Sequence, residues 1–231
     1  MPTDAHAALR AGACVIGVPL AEEQVANLVR FIECLYEANE TLNLTRIPRN
    51  EAVARHLIEA LTVLSVVNVP ARSRILDLGT GGGVPGIPLA IARPDCRVTL
   101  MDARRKKVDV VRRMGDMLGL ENIEPVHARA EDAAMVDRYR NAFDVVVARA
   151  VAPLKRLVGW MAPFVAAGGV AVAMKGSDVD SEVDDARTAL ERARLTLEEI
   201  RRTPVPFVQA ERSLVVMRPM LRHRYRERSR R

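Results

Sequence analysis

The run RILDLGTGGGVPGIPLAIAR, residues 74–93, changes character twice within twenty positions. Ile75, Leu76 and Leu78 form an apolar run of strand length. Gly79, Gly81, Gly82, Gly83 and Gly86 then fall within eight residues, and Ile87, Leu89, Ala90 and Ile91 read as a helix. Pro85 and Pro88 fall where a first helical turn tolerates a missing N–H. A strand entering a glycine-rich turn that opens a helix brings bare backbone and a helix N-terminus against a bound cofactor. Glycine suits such a turn because a Cβ would block close approach or forbid positive φ.

Outward from this run, the pattern on the C-terminal side alternates strand and helix, as in a parallel sheet covered on both faces. Strands are expected at Ile75–Leu78, Arg97–Met101, Ile123–His127, Phe143–Val147 and Gly169–Met174, with two closing strands at Thr196–Thr203 and Ser213–Met217. Helices are expected at Gly86–Ala92, Arg104–Leu118, Ala133–Tyr139, Leu154–Phe164 and Asp178–Ala193. On the N-terminal side, Val25, Leu28, Val29, Ile32, Leu35 and Tyr36 recur at helical spacing within Ala21–Thr41, and a second helix runs from Glu51 to Val67. Residues 1–20 carry no clear periodicity and read as a partly disordered leader. The expected division is therefore that leader, a helical extension over 21–70, a cofactor-binding α/β domain over 71–218 and a tail over 219–231.

The 231 residues suffice for one domain with an extension. Net charge is +6, but Arg222–Arg231 holds six Arg and one Glu, so the other 221 residues carry only about +1. The tail is expected to add salt-sensitive, sequence-independent affinity for a polyanion. Three widely spaced cysteines, Cys14, Cys34 and Cys96, argue against a disulfide framework or a zinc site and fit a reducing cytoplasm. The N-terminus lacks the pattern of a signal peptide. Leu157–Met174 is uncharged, but Gly159, Pro163, Gly168 and Gly169 break it into helix, turn and strand rather than a membrane span.

Asp102 follows the second strand, 21 positions after Gly81, where a carboxylate accepts from ribose hydroxyls. Gly81-x-Gly83-x-x-Gly86 alone satisfies a dinucleotide fingerprint. Asp77, however, puts a carboxylate beside the turn, where it repels a pyrophosphate and attracts the ammonium of a methionine-like group. Ala130 and Glu131 follow the third strand, either to meet an adenine edge or simply as an acidic helix N-terminus. Arg149 ends the fourth strand, either facing a ligand at the sheet edge or paired with a carboxylate such as Asp144. Arg104, Arg105, Lys106 and Lys107 begin a helix on the same edge and, with Lys175 after the fifth strand, are candidates for RNA phosphate; a solvated face is the simpler alternative. His56 reads as a packed core histidine, Asn43 as a turn residue and Trp160 as core.

Taken together, GTGGGVPGIPLAI, LMDARRKKV, VVVARAVAPL, MKG and ERSLVVMR, with NLTRI and RHLIEAL upstream, resemble the bacterial RsmG family, also called GidB. The resemblance covers residues 20–218. It implies a Rossmann-like class I methyltransferase fold, a mostly parallel seven-stranded sheet, and S-adenosylmethionine as cofactor. It also implies methylation of 16S ribosomal RNA at guanine N7, rRNA position 527, in the small subunit near the decoding site. From the residues themselves no membrane partner is expected, and a monomer is favoured. Cofactor contacts carry over to Gly79, Val84, Ala130, Glu131 and Arg149, with Asp102 near the ribose and Asp77 and Gly81 in the turn. The chain departs from the family at Val84, where a larger residue is common, at Ala103, where Ser is usual, and at Glu59-Ala60, where Asp-Ser is usual. Two other classes remain in view from the residues alone: an RNA-binding or assembly factor without catalysis, and a small nucleotide-dependent oxidoreductase. Attack on pyrimidine C5 would need a late thiol, and no Cys follows Cys96; amino-group methylation of adenine usually carries an Asn/Asp-Pro-Pro-aromatic motif where this chain reads ARAVAPL. Aromatics are only 3% of the chain, so recognition is expected to lean on phosphate and shape.

Overall fold

The computed structural model describes residues 4–208 and 211–220. Seven strands form one sheet: β1 (Arg74–Leu78), β2 (Arg97–Asp102), β3 (Ile123–His127), β4 (Phe143–Arg149), β5 (Val165–Lys175), β6 (Leu195–Pro204) and β7 (Glu211–Pro219). Their order is β3-β2-β1-β4-β5-β7-β6, and β7 alone runs opposite to the other six. Because the chain leaves β1 toward β2 and returns on its other side at β4, a crevice opens at the carboxyl ends of β1 and β4. The glycine turn and Arg149 meet there. Lys175, at the end of β5, pairs with Ser213 of the antiparallel strand, which brings the start of β7 to the same edge.

Alternation along the strands divides the apolar residues between two faces. Ile75, Leu100, Val145, Val172 and Val216 face one core, while Leu76, Met101, Val146, Ala171 and Val215 face the other. The first core receives α1 (Ala5–Val15), α2 (Glu22–Leu42), α3 (Glu59–Val66), α4 (Gly86–Ala92) and α5 (Arg105–Met117). The second receives α6 (Ala130–Ala133), α7 (Leu154–Met161) and α8 (Asp180–Ala193). The helices before β1 share that first core: Phe31, Ile32, Leu35, Leu57 and Leu61 are buried together with Ile87 and Leu89. Each such aliphatic or aromatic side chain contributes about 1.5–3 kcal/mol on burial. Gln24 adds a polar tie: its amide donates to the Ile91 and Ala92 carbonyls at the end of α4, and its Oε1 accepts from the Ala21 N–H at the start of α2.

Four expectations need correction. Residues 5–15 are helical rather than disordered; Asp4 caps the helix through the Ala7 N–H, and Leu9 and Ala13 are buried. The helix expected at Ala133–Tyr139 is instead the short α6 followed by turns. Ala133, Val136 and Tyr139 are three apart, which suits the i→i+3 bonds observed from Val136 to Ala133 and from Tyr139 to Val136. The second leader helix opens with a 3-10 turn (Arg49–Glu51) and a π-helical stretch (Val53–Ile58) before α3. Strand β5 starts four residues before the expected Gly169, at Val165, with a register shift against β4 between Phe143 and Val145. Asn43 is the left-handed residue that ends α2 (φ 47°), as its turn reading requires. The Arg-rich segment lies outside the described residues. No described helix is long and apolar enough to cross a membrane.

Candidate functional site

Two cavities meet at the crevice. One, of about 450 Å³, lies at the ends of β1, β2 and β4 and is lined by Asp102, Ala130, Glu131 and Trp160 among others. The second, of about 790 Å³, is roofed by the leader and lined by Thr45, His56, Glu59, Val84, Arg149 and Lys175 among others. Gly79, Lys107, Ala150 and Val151 belong to both. An elongated ligand with one end at Asp102 therefore reaches the roofed cavity past Gly79.

The glycine turn is shaped for that passage. Gly79 has φ +77°, and a Cβ there would come within 2.6 Å of Val151 Cγ2. Its N–H and that of Thr80 donate to the Met101 carbonyl, which staples the turn to β2. Gly81 has φ +59°, and its N–H donates to Asp102 Oδ2 at 3.0 Å; Asp102 Oδ1 accepts from the Arg104 N–H at 2.8 Å. Asp102 thus fixes both turns that flank it, while its carboxylate still borders the smaller cavity. Val84 lies on the wall of the larger one.

Asp77 lines neither cavity. It is fully buried behind the turn, where Oδ2 accepts from Thr80 Oγ1 at 2.7 Å and the Gly86 N–H at 2.8 Å. Oδ1 has no partner among the described residues. Burial pushes its carboxyl up to about 6, against the pull of the Thr80 and Gly86 hydrogen bonds and of Arg149. A buried acceptor without a donor, beside a cradle that a Cβ would fill, fits a cationic ligand group held near this turn.

Arg149 is held by the leader. Its Nη1 donates to the Arg55 carbonyl at 2.8 Å and lies 3.6 Å from Glu59 Oε1, and Nη2 donates to His56 Nδ1 at 3.2 Å. The carboxylate that pairs it is therefore Glu59; Asp144 instead accepts from the Arg74 N–H. Glu59 also pairs with Arg212 at 3.0 Å. Since arginine only donates, His56 Nδ1 is the acceptor, and Nε2–H must serve the 3.0 Å contact to Thr45 Oγ1. Burial and the neighbouring guanidinium groups hold His56 down at about 3, so it is neutral with no ring nitrogen left unbonded. His56 is thus buried and hydrogen-bonded, and at the same time part of a cavity wall.

The basic candidates separate. Arg104, Arg105 and Lys106 are exposed at the start of α5, and with Lys107, Leu42 and Leu44 they border a shallow concavity of about 340 Å³. Lys107 lies over the glycine turn, its Nζ 3.7 Å from where a Gly81 Cβ would stand. Lys175 is different: its side chain is 11% exposed, and Nζ donates to the Ala152 carbonyl at 2.8 Å and pairs with Glu182 at 2.6 Å. Trp160 is half-buried on the wall of the smaller cavity rather than in the core, with Arg156 over its ring. Arg46 and Lys107 are the two cations lining the larger cavity that have no ion pair among the described residues.

Sequence reasoning missed Arg46, Arg55, Glu59 and Arg212 as site residues. One signal was present. His56 and Glu59, three apart, put two polar groups on a helix stretch otherwise made of Leu57, Ala60 and Leu61.

Comparison with known proteins places this geometry. Residues 24–215 match the GidB family, described as rRNA small subunit methyltransferase G. Among relatives, a Ribosomal RNA small subunit methyltransferase G of Caldanaerobacter subterraneus subsp. tengcongensis is 37% identical over 208 residues, 90% of this chain and 87% of that protein. One of Desulforamulus reducens is 40% identical over 86% of this chain and 83% of its own. In fold, the chain is similar to a TehB-like SAM-dependent methyltransferase from Corynebacterium glutamicum, with a TM-score of 0.54 at 22% identity over 74% of this chain and 93% of that one. It is likewise similar to a predicted O-methyltransferase from Agrobacterium tumefaciens, with a TM-score of 0.56 at 22% identity over 71% and 87%. A family match across all seven strands but the last residues of β7, joined to relatives sharing more than a third of their residues, is decisive: this protein belongs to the rRNA small subunit methyltransferase G family, GidB.

Proposed function

We propose that the protein transfers a methyl group from S-adenosylmethionine to N7 of a guanine in 16S rRNA, rRNA position 527, within the small subunit or an assembly intermediate in the cytoplasm. The observation that carries this reading is the junction of the two cavities at Gly79 and Val151 in a chain of this family. The smaller cavity suits an adenosine, with Asp102 toward the ribose and Ala130 and Glu131 toward the base edge. Gly79, Gly81, Val84 and Arg149 surround the methionine end, and the carboxylate of Asp77 acts on its ammonium from behind the glycine turn. S-adenosylmethionine, when bound, supplies a methyl group on a sulfonium centre.

Guanine N7 carries an unprotonated lone pair at neutral pH, so no side chain has to remove a proton. His56 agrees with this: it is neutral, and both ring nitrogens are engaged by Arg149 and Thr45. The work of the chain is alignment, by Arg149, Val151 and the leader roof, and exclusion of water between them. Arg46 and Lys107, with Arg104, Arg105 and Lys106, present unpaired positive charge at the mouth for RNA phosphates. The oxidoreductase alternative is set aside by family membership.

The test uses small subunits that lack the modification, labelled S-adenosylmethionine, and chemical cleavage at N7-methylguanine. One cleavage at the guanine of position 527 is expected. Label elsewhere overturns the site; no label with the methyl donor bound favours an assembly factor without catalysis.

A further inference from the structure

The segment between β4 and α7, Ala150 to Pro153, lines the larger cavity along its whole length, and Ala150 and Val151 also line the smaller one. It lies at the carboxyl end of β4, beside Gly79, where acceptor and methyl donor must meet. Three features show that its shape is imposed. Ala150 has φ +54°, in the left-handed region that a residue with a Cβ avoids unless held there. Val151 stands against Gly79 at a distance that only a missing Cβ allows. Finally, two side chains from other elements brace the segment: Lys175 Nζ donates to the Ala152 carbonyl at 2.8 Å, and Glu182 Oε2 accepts from the Leu154 N–H at 2.9 Å. The same Oε2 lies 2.6 Å from Lys175 Nζ, so a single ion pair grips the segment on both sides of Pro153, where it enters α7.

We infer that Lys175 and Glu182 are positioning residues, a clamp that holds Ala150–Pro153 as the ledge for the acceptor base; this rests on the methyltransferase reading above. Lys175 spends its ammonium on the Ala152 carbonyl and on Glu182, at a side chain 11% exposed, and is not an RNA contact. The two roles predict opposite signs for one variant. If Lys175 met RNA phosphate, removing Glu182 would free its charge and tighten RNA binding. If the pair is a clamp, removing either member loosens the same ledge.

The experiment compares Lys175→Met, Glu182→Ala, Glu182→Gln and the double Lys175→Met/Glu182→Ala in the full chain, on subunits lacking the modification. Either single change is expected to lower kcat about ten- to a hundredfold, as misplacement of a reacting partner by about 1 Å does, with KM for S-adenosylmethionine unchanged. The double variant is expected to be no worse than the singles, because both remove one device. Glu182→Gln keeps an acceptor for Leu154 and Lys175 and is expected to recover most of kcat. Hydrogen exchange at the Leu154 amide, read in the free protein, should speed about tenfold in Glu182→Ala and not in Glu182→Gln. Tighter RNA binding by Glu182→Ala with weaker binding by Lys175→Met overturns the clamp, as does equal loss in Gln and Ala. Unchanged exchange at Leu154 also overturns it. Because exchange needs no substrate, a failure of the proposed reaction itself would show in the wild type and leave the clamp separately measured.

Discussion

Asp77 ties stability and cofactor affinity to pH with opposite signs. Its carboxyl is raised by burial from an ordinary 3.8 to about 6. A rise of that size makes the ionised form cost the folded protein about 3 kcal/mol at neutral pH. Between those two values the native state holds a proton that the unfolded chain has lost. This contribution is therefore fully favourable below pH 3.8 and is lost as pH rises through 6. Lowering the pH from 7 to 5 should return about 1 kcal/mol from this carboxyl, or about 3 °C in Tm, read as the change in the difference between wild type and Asp77→Asn. The bound ammonium acts the other way, since it favours the carboxylate and pulls the carboxyl down. Binding then requires loss of the proton, so the Kd for S-adenosylmethionine should be flat above pH 6 and rise about tenfold between pH 7 and 5. Asp77→Asn preserves an oxygen for Thr80 and Gly86 while removing the titration. It should abolish the pH dependence of binding, leave in the stability only the dependence set by other groups such as His56, and weaken binding at pH 7.

Calorimetric titration and thermal melts of both proteins at pH 7, 6 and 5 test this, with the variant subtracting every other titrating group. A wild-type Kd that stays level to pH 5, or a variant that binds as tightly as wild type at pH 7, would refute the assignment of Asp77 to the ammonium.

Replacing Glu59 by Ala should strand Arg149 and Arg212 without their shared carboxylate and destabilise the protein by about 3–5 kcal/mol, read from urea midpoints. Gly79→Ala forces a Cβ into the left-handed region and against Val151, so it should cost at least about 1 kcal/mol and weaken S-adenosylmethionine binding in the same titration. His56, held at about 3, should show no titration between pH 5 and 8 by NMR. Because its folded value lies below the unfolded 6.5, its contribution to stability is present above pH 6.5 and declines by about 1.4 kcal/mol per pH unit below it.

How far the sequence could be read follows from the range of the interactions. The strand–helix alternation from Arg74 onward is a local pattern, and β1, α4, β2, α5 and β3 appear within a residue or so of their expected bounds. So does α2, whose apolar stripe is strongly periodic. Residues 5–15 are harder, because a helix rich in Ala shows little periodicity until Leu9 and Ala13 find the leader's core. In the site, Asp102 and the glycines could be located because turn and cofactor chemistry act across a few residues of backbone.

The chain by itself determined the glycine cradle, the carboxylates beside it and the parallel sheet, all consequences of spacing along one strand–turn–helix. Only the tertiary structure decided that Glu59 pairs with both Arg149 and Arg212, the latter 153 residues away, that His56 is both buried and at the cavity wall, and that Lys175 turns inward to Glu182. These pairings join groups that no periodicity relates. The antiparallel return of β7 and the leader's packing over the sheet bring them together, and a buried charge must then take whichever opposite charge the fold delivers.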